Sequence, residues 1–245
     1  MSGAAHNEEG VATVETPLHR APAECKVLAT ILFVVAVALV RRGEVVWPYA
    51  VDAALLAAVA VAARTPLSLL VRRLVIEVPF VVFVLVLPFA TASFQDGLWL
   101  AFGILAKATL AVLATGVLAW TTLAPEILRG AERLRAPRTL IAIAGFALRY
   151  LQVLLDELRR MRLARVQRGD DPRWLWQARG TGRTVGALVV RTFERGERVH
   201  VAMLARGYDG RMPALDLSPA ASPLAWVGAA GLAALPWVVT VWGRW

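Results

Sequence analysis

Apolar residues gather into five runs separated by charged punctuation, at 27–40, 45–63, 74–90, 98–120 and 224–242. At about 1.5 Å per residue, these runs approach or reach the roughly 30 Å of a bilayer core. The first is short for a span, and must borrow residues 23–26 and let Lys26 and Arg41 snorkel. Asp52 interrupts the second run, Glu77, Pro79 and Pro88 lie in the third, and Lys107 sits inside the fourth. Tryptophans at 226, 237, 242 and 245 flank the fifth, as interfacial aromatic belts do. The pattern predicts an all-α membrane protein of about five transmembrane helices. Its expected organisation is a tail over 1–22, a four-helix transmembrane region over 23–120 and a last transmembrane helix over 223–245.

Residues 121–222 between the fourth and fifth runs follow a different rule. Thr122 or a neighbour caps a helix, with Pro125 in its first turn. The uncharged run 139–148 is too brief to cross a bilayer, and lies at the membrane face or packed on the spans. From Phe146 the apolar positions Tyr150, Leu151, Leu154, Leu155, Leu158 and Met161 recur at helical spacing. Gln152, Asp156, Arg159, Arg160 and Arg162 lie opposite, with Asp156 four before Arg160. This helix ends at Arg168, because Gly169 supplies a left-handed cap and Pro172 forbids continuation. A second helix runs from about 185 to 206, with Val185, Leu188, Val189, Phe193, Val199 and Met203 as its apolar stripe. Glu194 pairs with Arg198 along it, and Gly207 ends it.

Composition agrees with burial in lipid. Of 245 residues 58% are hydrophobic and only 18% charged, and the mean hydropathy is +0.59. A net charge of +9 reads as positive-inside bias. Arg64, Arg72 and Arg73 mark the 64–73 connection as cytoplasmic, whereas 91–97 has no Lys or Arg. The amino terminus and the region 121–222 therefore lie in the cytoplasm and the carboxyl terminus outside; Arg41 and Arg42 fall on the wrong side. No nucleic-acid-binding pattern accompanies the basic charge. Cys25 is the single cysteine, which excludes an internal disulfide and any multi-cysteine metal site. The polar first 25 residues lack the basic region of a signal peptide and read as a disordered cytoplasmic tail.

Both cytoplasmic helices thus finish on arginine followed by glycine, at Arg168-Gly169 and Arg206-Gly207. A cation is favoured beside the free carbonyls of a last helical turn. The glycine lets the chain turn away while the guanidinium, with five fixed donors, projects toward carboxylate and carbonyl groups of a partner. The plainer reading is a basic juxtamembrane segment held by anionic lipid.

Residues 191–210, Arg-Thr-Phe-Glu-Arg-Gly-Glu-Arg-Val-His-Val-Ala-Met-Leu-Ala-Arg-Gly-Tyr-Asp-Gly, favour the first reading. They resemble the carboxy-terminal signature of the transmembrane (T) component of energy-coupling factor transporters, cobalt-type branch, with its Ala-Met-x-Ala-Arg-Gly-Tyr/Phe pattern. Residues 147–161 resemble that family's first coupling helix, and weaker similarity runs from about Pro22 to Leu235. The resemblance implies two Ala-Arg-Gly motifs docking into two ABC-type ATPase subunits. The second falls on Ala205, Arg206 and Gly207. The first is altered to Gln167, Arg168 and Gly169, which keeps the arginine and the glycine. An intact Ala178-Arg179-Gly180 lies in the connector ahead of the second helix, with no helical stripe leading into it, and is taken as a chance match. The other implied partners are a small substrate-binding membrane subunit and the lipid bilayer of a bacterial cell membrane. Cobalt is the implied cargo, with nickel or biotin as rivals. The rival of another class is a membrane-anchored scaffold binding a partner through its basic region.

Other candidate chemistry is sparse. Residues 180–184, Gly-Thr-Gly-Arg-Thr, lack the lysine and spacer of a phosphate-binding loop, so the chain is expected to need no nucleotide of its own. His200 reads as packed near the stripe rather than ligating, and His6 and His19 are tail residues. No cofactor, metal or catalytic residue is expected. Asp52, Glu77 and Lys107 lie at membrane depth: Glu77 reaches Arg72 or Arg73, and Asp52 and Lys107 either pair with each other or face a partner subunit.

Overall fold

The structure is a computed structural model that describes residues 16–40, 46–90, 93–169, 178–209 and 221–242. Most of the tail, together with Arg41, Arg42, Asp170, Pro172 and Trp245, lies outside the described residues. These form ten α-helices and no strand. They are α1 (Pro17–Arg20), α2 (Ala23–Leu39), α3 (Trp47–Ala62), α4 (Leu67–Val84), α5 (Leu87–Ala90) and α6 (Phe94–Thr121). After them come α7 (Ala124–Arg133), α8 (Arg138–Gln167), α9 (Ala178–Ala205) and α10 (Pro223–Trp242). The chain divides into two compact units, Met1–Ala136 with Ser218–Trp245, and Pro137–Leu217.

In the first unit α2 packs against α6, α7 and α10, while α6 also meets α3, α4 and α5. Small residues let the backbones approach: Ala36 and Ala63 are wholly buried, beside Val37, Tyr49, Leu56, Leu110 and Val117. Large apolar side chains are left outside, among them Val75, Ile76 and Phe83 on α4. That inverted distribution suits lipid as the surrounding solvent.

Polar groups join the elements at a few points. Lys26 near the start of α2 donates to the carbonyl of Thr121, the last residue of α6, at 2.8 Å. Lys107 within α6 donates in return to Ala38 and Val40 at the end of α2, at 3.0 and 2.6 Å. Each of these helices thus caps the other's free carbonyls with an ammonium group. Glu24, 5% exposed, pairs with Arg133 of α7 at 2.9 Å and accepts the Ala221 amide ahead of α10 at 3.0 Å. Only glycine fits where α7 meets α2, since a Cβ on Gly130 would lie 2.9 Å from the Glu24 nitrogen.

These contacts revise several boundaries. The expected cytoplasmic region 121–222 is not one body, because α7 belongs to the first unit through Arg133 and Gly130. Its amino-terminal cap is Leu123, the neighbour of Thr122, and the Leu123 amide donates to Glu126. Within the expected tail of 1–22, Thr16 is buried and bonds through its hydroxyl to His19. Arg72 and Arg73 lie within α4 rather than in a loop. Phe94–Thr121, Arg138–Gln167 and Pro223–Thr240 are the described helices long and apolar enough to cross a membrane. The expected spans at α2 and α3 are 17 and 16 residues long, and that at α4 carries three charges.

In the second unit, residues 139–148 are the first part of a longer helix, the 30-residue α8. Glu157 of α8 meets Arg191 of α9, and Arg165 meets Thr184. Residue numbers rise on one helix as they fall on the other, so the pair is antiparallel. The inward face of α9 differs from the expected stripe. Leu188, Val199 and Met203 are partly covered, with Thr184 and Thr192 beside them, whereas Val185, Val189 and Phe193 are exposed.

Candidate functional site

The two arginine-glycine ends are built alike. Gly169 and Gly207 both hold left-handed backbone, with φ of +79° and +83°. The Gly169 amide donates to Val166 and the Gly207 amide to Leu204, each at 3.0 Å. At the second end the Tyr208 amide also reaches Met203 at 3.0 Å, which completes a Schellman closure. No atom lies within 4 Å of where a Cβ would stand at either glycine, so conformation rather than space calls for glycine. Gln167 and Ala205 are the last helical residues, and Arg168 and Arg206 occupy the positions just after them. All four are exposed. In an antiparallel pair these two ends point away from each other along the helices.

Ala178-Arg179-Gly180 has a different place from the one expected. It forms the first turn of α9, not part of a connector. Residues 180–184 are helical as well, with the Thr184 hydroxyl bonded to the Gly180 carbonyl at 3.1 Å. They make no phosphate-cradling loop.

Sequence spacing did not reveal the ionic joint between the helices. Oε1 of Glu157 accepts from Arg191 at 2.9 Å, and Oε2 accepts from Arg160 at 2.8 Å. The Arg160 hydrogen bond, with Arg191 adding to it against some desolvation, holds the Glu157 carboxyl below its usual range. Asp156, expected to pair with Arg160, pairs instead with Arg159 at 3.3 Å. Among the described residues Glu194 makes no ion pair with Arg198. Glu157 was legible as an i,i+3 partner of Arg160, but nothing local signalled Arg191.

The remaining candidates are dispersed. Asp52 is fully buried with no partner on either oxygen among the described residues, so it does not pair with Lys107. Glu77 accepts from Thr109 at 3.1 Å rather than from an arginine. The Arg73 side chain instead lies against Gly116, 2.9 Å from where its Cβ would be. His200, read as packed, is exposed. His19 is not a free tail residue: burial, then the neighbouring Lys26, lowers its pKa against an opposing backbone hydrogen bond. A cavity of about 280 Å³ in the first unit is lined by apolar residues such as Phe33, Leu56, Val117 and Leu232, with Lys26 its one charged wall. Among the described residues no group of three or more His, Cys, Asp or Glu could hold a metal ion.

The described residues thus form an apolar helical bundle joined in sequence to a basic helix pair whose ends each carry an arginine followed by a left-handed glycine. Residues 14–215 match the family described as CbiQ, cobalt transport protein. The chain belongs to this family, the cobalt-type branch of energy-coupling factor transmembrane components. It is similar to the cobalt transport protein CbiQ of Rhodobacter capsulatus, 37% identical over 110 residues, 44% of each chain. It is also similar to the energy-coupling factor transporter transmembrane protein EcfT of Bacillus selenitireducens. There the identity is 30% over 135 residues, 51% of this chain and 50% of the relative. An uncharacterised protein of Methanocaldococcus jannaschii is 26% identical over 128 residues, 52% of this chain and 48% of its own. The chain spans about half the length of the curated relatives it matches.

Proposed function

We propose that the chain is the non-catalytic transmembrane coupling subunit of an ABC-type importer for Co²⁺ in a bacterial cell membrane. The first unit sits in the bilayer and holds a small substrate-binding membrane subunit. The second faces the cytoplasm, where Gln167, Arg168 and Gly169 engage one ATPase and Ala205, Arg206 and Gly207 engage the other. ATP-driven movement of the ATPases passes through α8 and α9 to the substrate-binding subunit.

The observation that carries this reading is the matched construction of the two helix ends. Each presents an exposed arginine where helical carbonyls favour a cation, and each turns away on a left-handed glycine. The antiparallel order sends the two ends in opposite directions, which suits docking on two separate ATPases. Uncovered apolar residues on the same helices, including Ile143, Leu163, Phe193 and Val201, suit burial against the bilayer or a partner subunit. Cobalt follows from the family and its Rhodobacter capsulatus relative.

Reconstitution tests the division of labour. The purified chain alone is expected to hydrolyse no ATP and to bind no Co²⁺ tightly. Uptake into liposomes is expected only when both ATPases and the substrate-binding subunit are present. A Co²⁺ site of micromolar affinity or tighter in the isolated chain, seen by calorimetry, would overturn the assignment.

A further inference from the structure

Two described contacts join α8 to α9 through polar side chains, and they lie at unequal distances from the arginine ends. The first is Glu157–Arg191, at 2.9 Å. The second is a hydrogen bond from Arg165 to the Thr184 hydroxyl, at 3.3 Å. About 16 Å of helix separates Glu157 from Arg168, and about 22 Å separates Arg191 from Arg206, at 1.5 Å rise per residue. Because the helices run antiparallel, these two stretches extend to opposite sides of the Glu157–Arg191 contact. A small slide of one helix along the other at that contact therefore changes the separation of Arg168 and Arg206 directly.

Apolar packing between the helices does little to fix that contact. Side chains on both helices, such as Leu151, Leu163, Val189 and Phe193, remain exposed, and no residue of α8 is fully buried. Apolar contact is also non-directional and tolerates sliding. The carboxylate of Glu157 is directional, with one oxygen on Arg160 of its own helix and the other on Arg191 of its neighbour. Arg160 holds the carboxylate in the orientation that Arg191 meets, and also keeps it ionised.

We propose that Glu157 is the positioning residue of the helix pair: its carboxylate, shared between Arg160 and Arg191, fixes where α9 crosses α8 and so sets the separation of the Arg168 and Arg206 ends. The consequence for transport rests on the coupling function proposed above. The geometry of the joint does not.

The test is a charge exchange, carried out in the full chain in an Arg160→Gln background. That background removes the like-charge neighbour that Glu157→Arg would otherwise meet. With Cys25 replaced by alanine, spin labels on cysteines introduced at the exposed positions Leu163 and Val201 report the distance between the two helices. Glu157→Arg or Arg191→Glu alone is expected to shift or broaden that distribution, and the pair together to restore it. In the assembled transporter without labels, Co²⁺ uptake is expected to fall about tenfold in each single variant and to return to within about twofold in the exchange. Glu157→Gln keeps the size and one acceptor oxygen and is expected to broaden the distances by an intermediate amount, which covers the case of a reversal that does not fold. Unchanged distances in the single variants, or no restoration in the exchange, would overturn the positioning role. Distances that respond while uptake does not would leave Glu157 as the joint and bring down the coupling reading instead.

Discussion

Helices in both units stop by the same turn of the backbone, but the two units build that stop differently. In the first unit α3 and α7 end on Arg64 and Arg135, which themselves hold left-handed backbone with φ of +48° and +64°. Both complete a Schellman closure, with Thr65 bonded to Ala60 and Ala136 to Ala131 at 3.0 Å. In the second unit glycine takes the left-handed position and the arginine stands one residue earlier. A non-glycine residue in that conformation costs roughly 1–2 kcal/mol. The first unit accepts that cost at two helix ends. The second avoids it at both, and keeps its arginine at the cap itself. A basic charge near a helix end is therefore not what distinguishes Arg168 and Arg206. The distinguishing feature is the cap position, where an exposed arginine is followed directly by the left-handed glycine that turns the chain.

The comparison breaks most visibly at the buried ion pair. Arg133→Ala leaves Glu24 buried without its cation and is expected to destabilise the first unit by about 3–5 kcal/mol. Arg191→Ala, at an exposed pair, is expected to change stability little; thermal unfolding in detergent measures both. The arginine ends come next. Arg168→Ala and Arg206→Ala are each expected to weaken ATPase docking by about 2–4 kcal/mol with unfolding unchanged, whereas Arg64→Ala leaves docking intact. Co-purification of the ATPases reads this directly. Damage from Arg179→Ala with a silent Arg168→Ala would reassign the first motif.

Smaller effects sharpen the contrast between the two kinds of helix end. Arg64→Gly and Arg135→Gly are expected to raise stability by up to about 1 kcal/mol, and Gly169→Ala and Gly207→Ala to lower it by about 1 kcal/mol. Denaturant midpoints of the four variants test the opposite signs. The smallest effect is that of pH on the α8–α9 joint. The Glu157 carboxyl is lowered from its ordinary 4.5, so its contribution is fully present above that value and is lost as pH falls through the lower folded one. Spin-label distances between the helices are expected to hold from neutral pH down to about 5 and to change only below the ordinary carboxylate range. In Glu157→Gln that acid transition disappears.

What could be read in the sequence was local. Helical periodicity and glycine placement located the ends of α8 and α9, because a helix stop is decided within a few residues. The start of α9 was set seven residues too late, since Ala178–Thr184 has no apolar stripe and Gly180 and Gly182 look like loop residues. The expected 64–73 loop gave too much weight to Arg72 and Arg73, which α4 accommodates. Contacts between distant residues were not legible. The Glu24–Arg133 and Lys26–Thr121 contacts each join residues about a hundred positions apart, and no periodicity encodes such a meeting. Asp52 showed the same limit from the other side: its depth was clear from the run around it, but its lack of a partner among the described residues was not.

Lys26 and Lys107 are the only lysines in the sequence, and both lie on helices of the first unit, with their amines drawn onto carbonyl oxygens. A lysine-specific protease therefore has its two cleavage points where the backbone is helical and the side chains are occupied. The second unit offers it none. Resistance to such a protease measures how often the membrane bundle opens, undisturbed by any movement of α8 and α9. A lysine-directed acylating reagent would likewise mark the bundle alone, leaving the arginine ends chemically untouched.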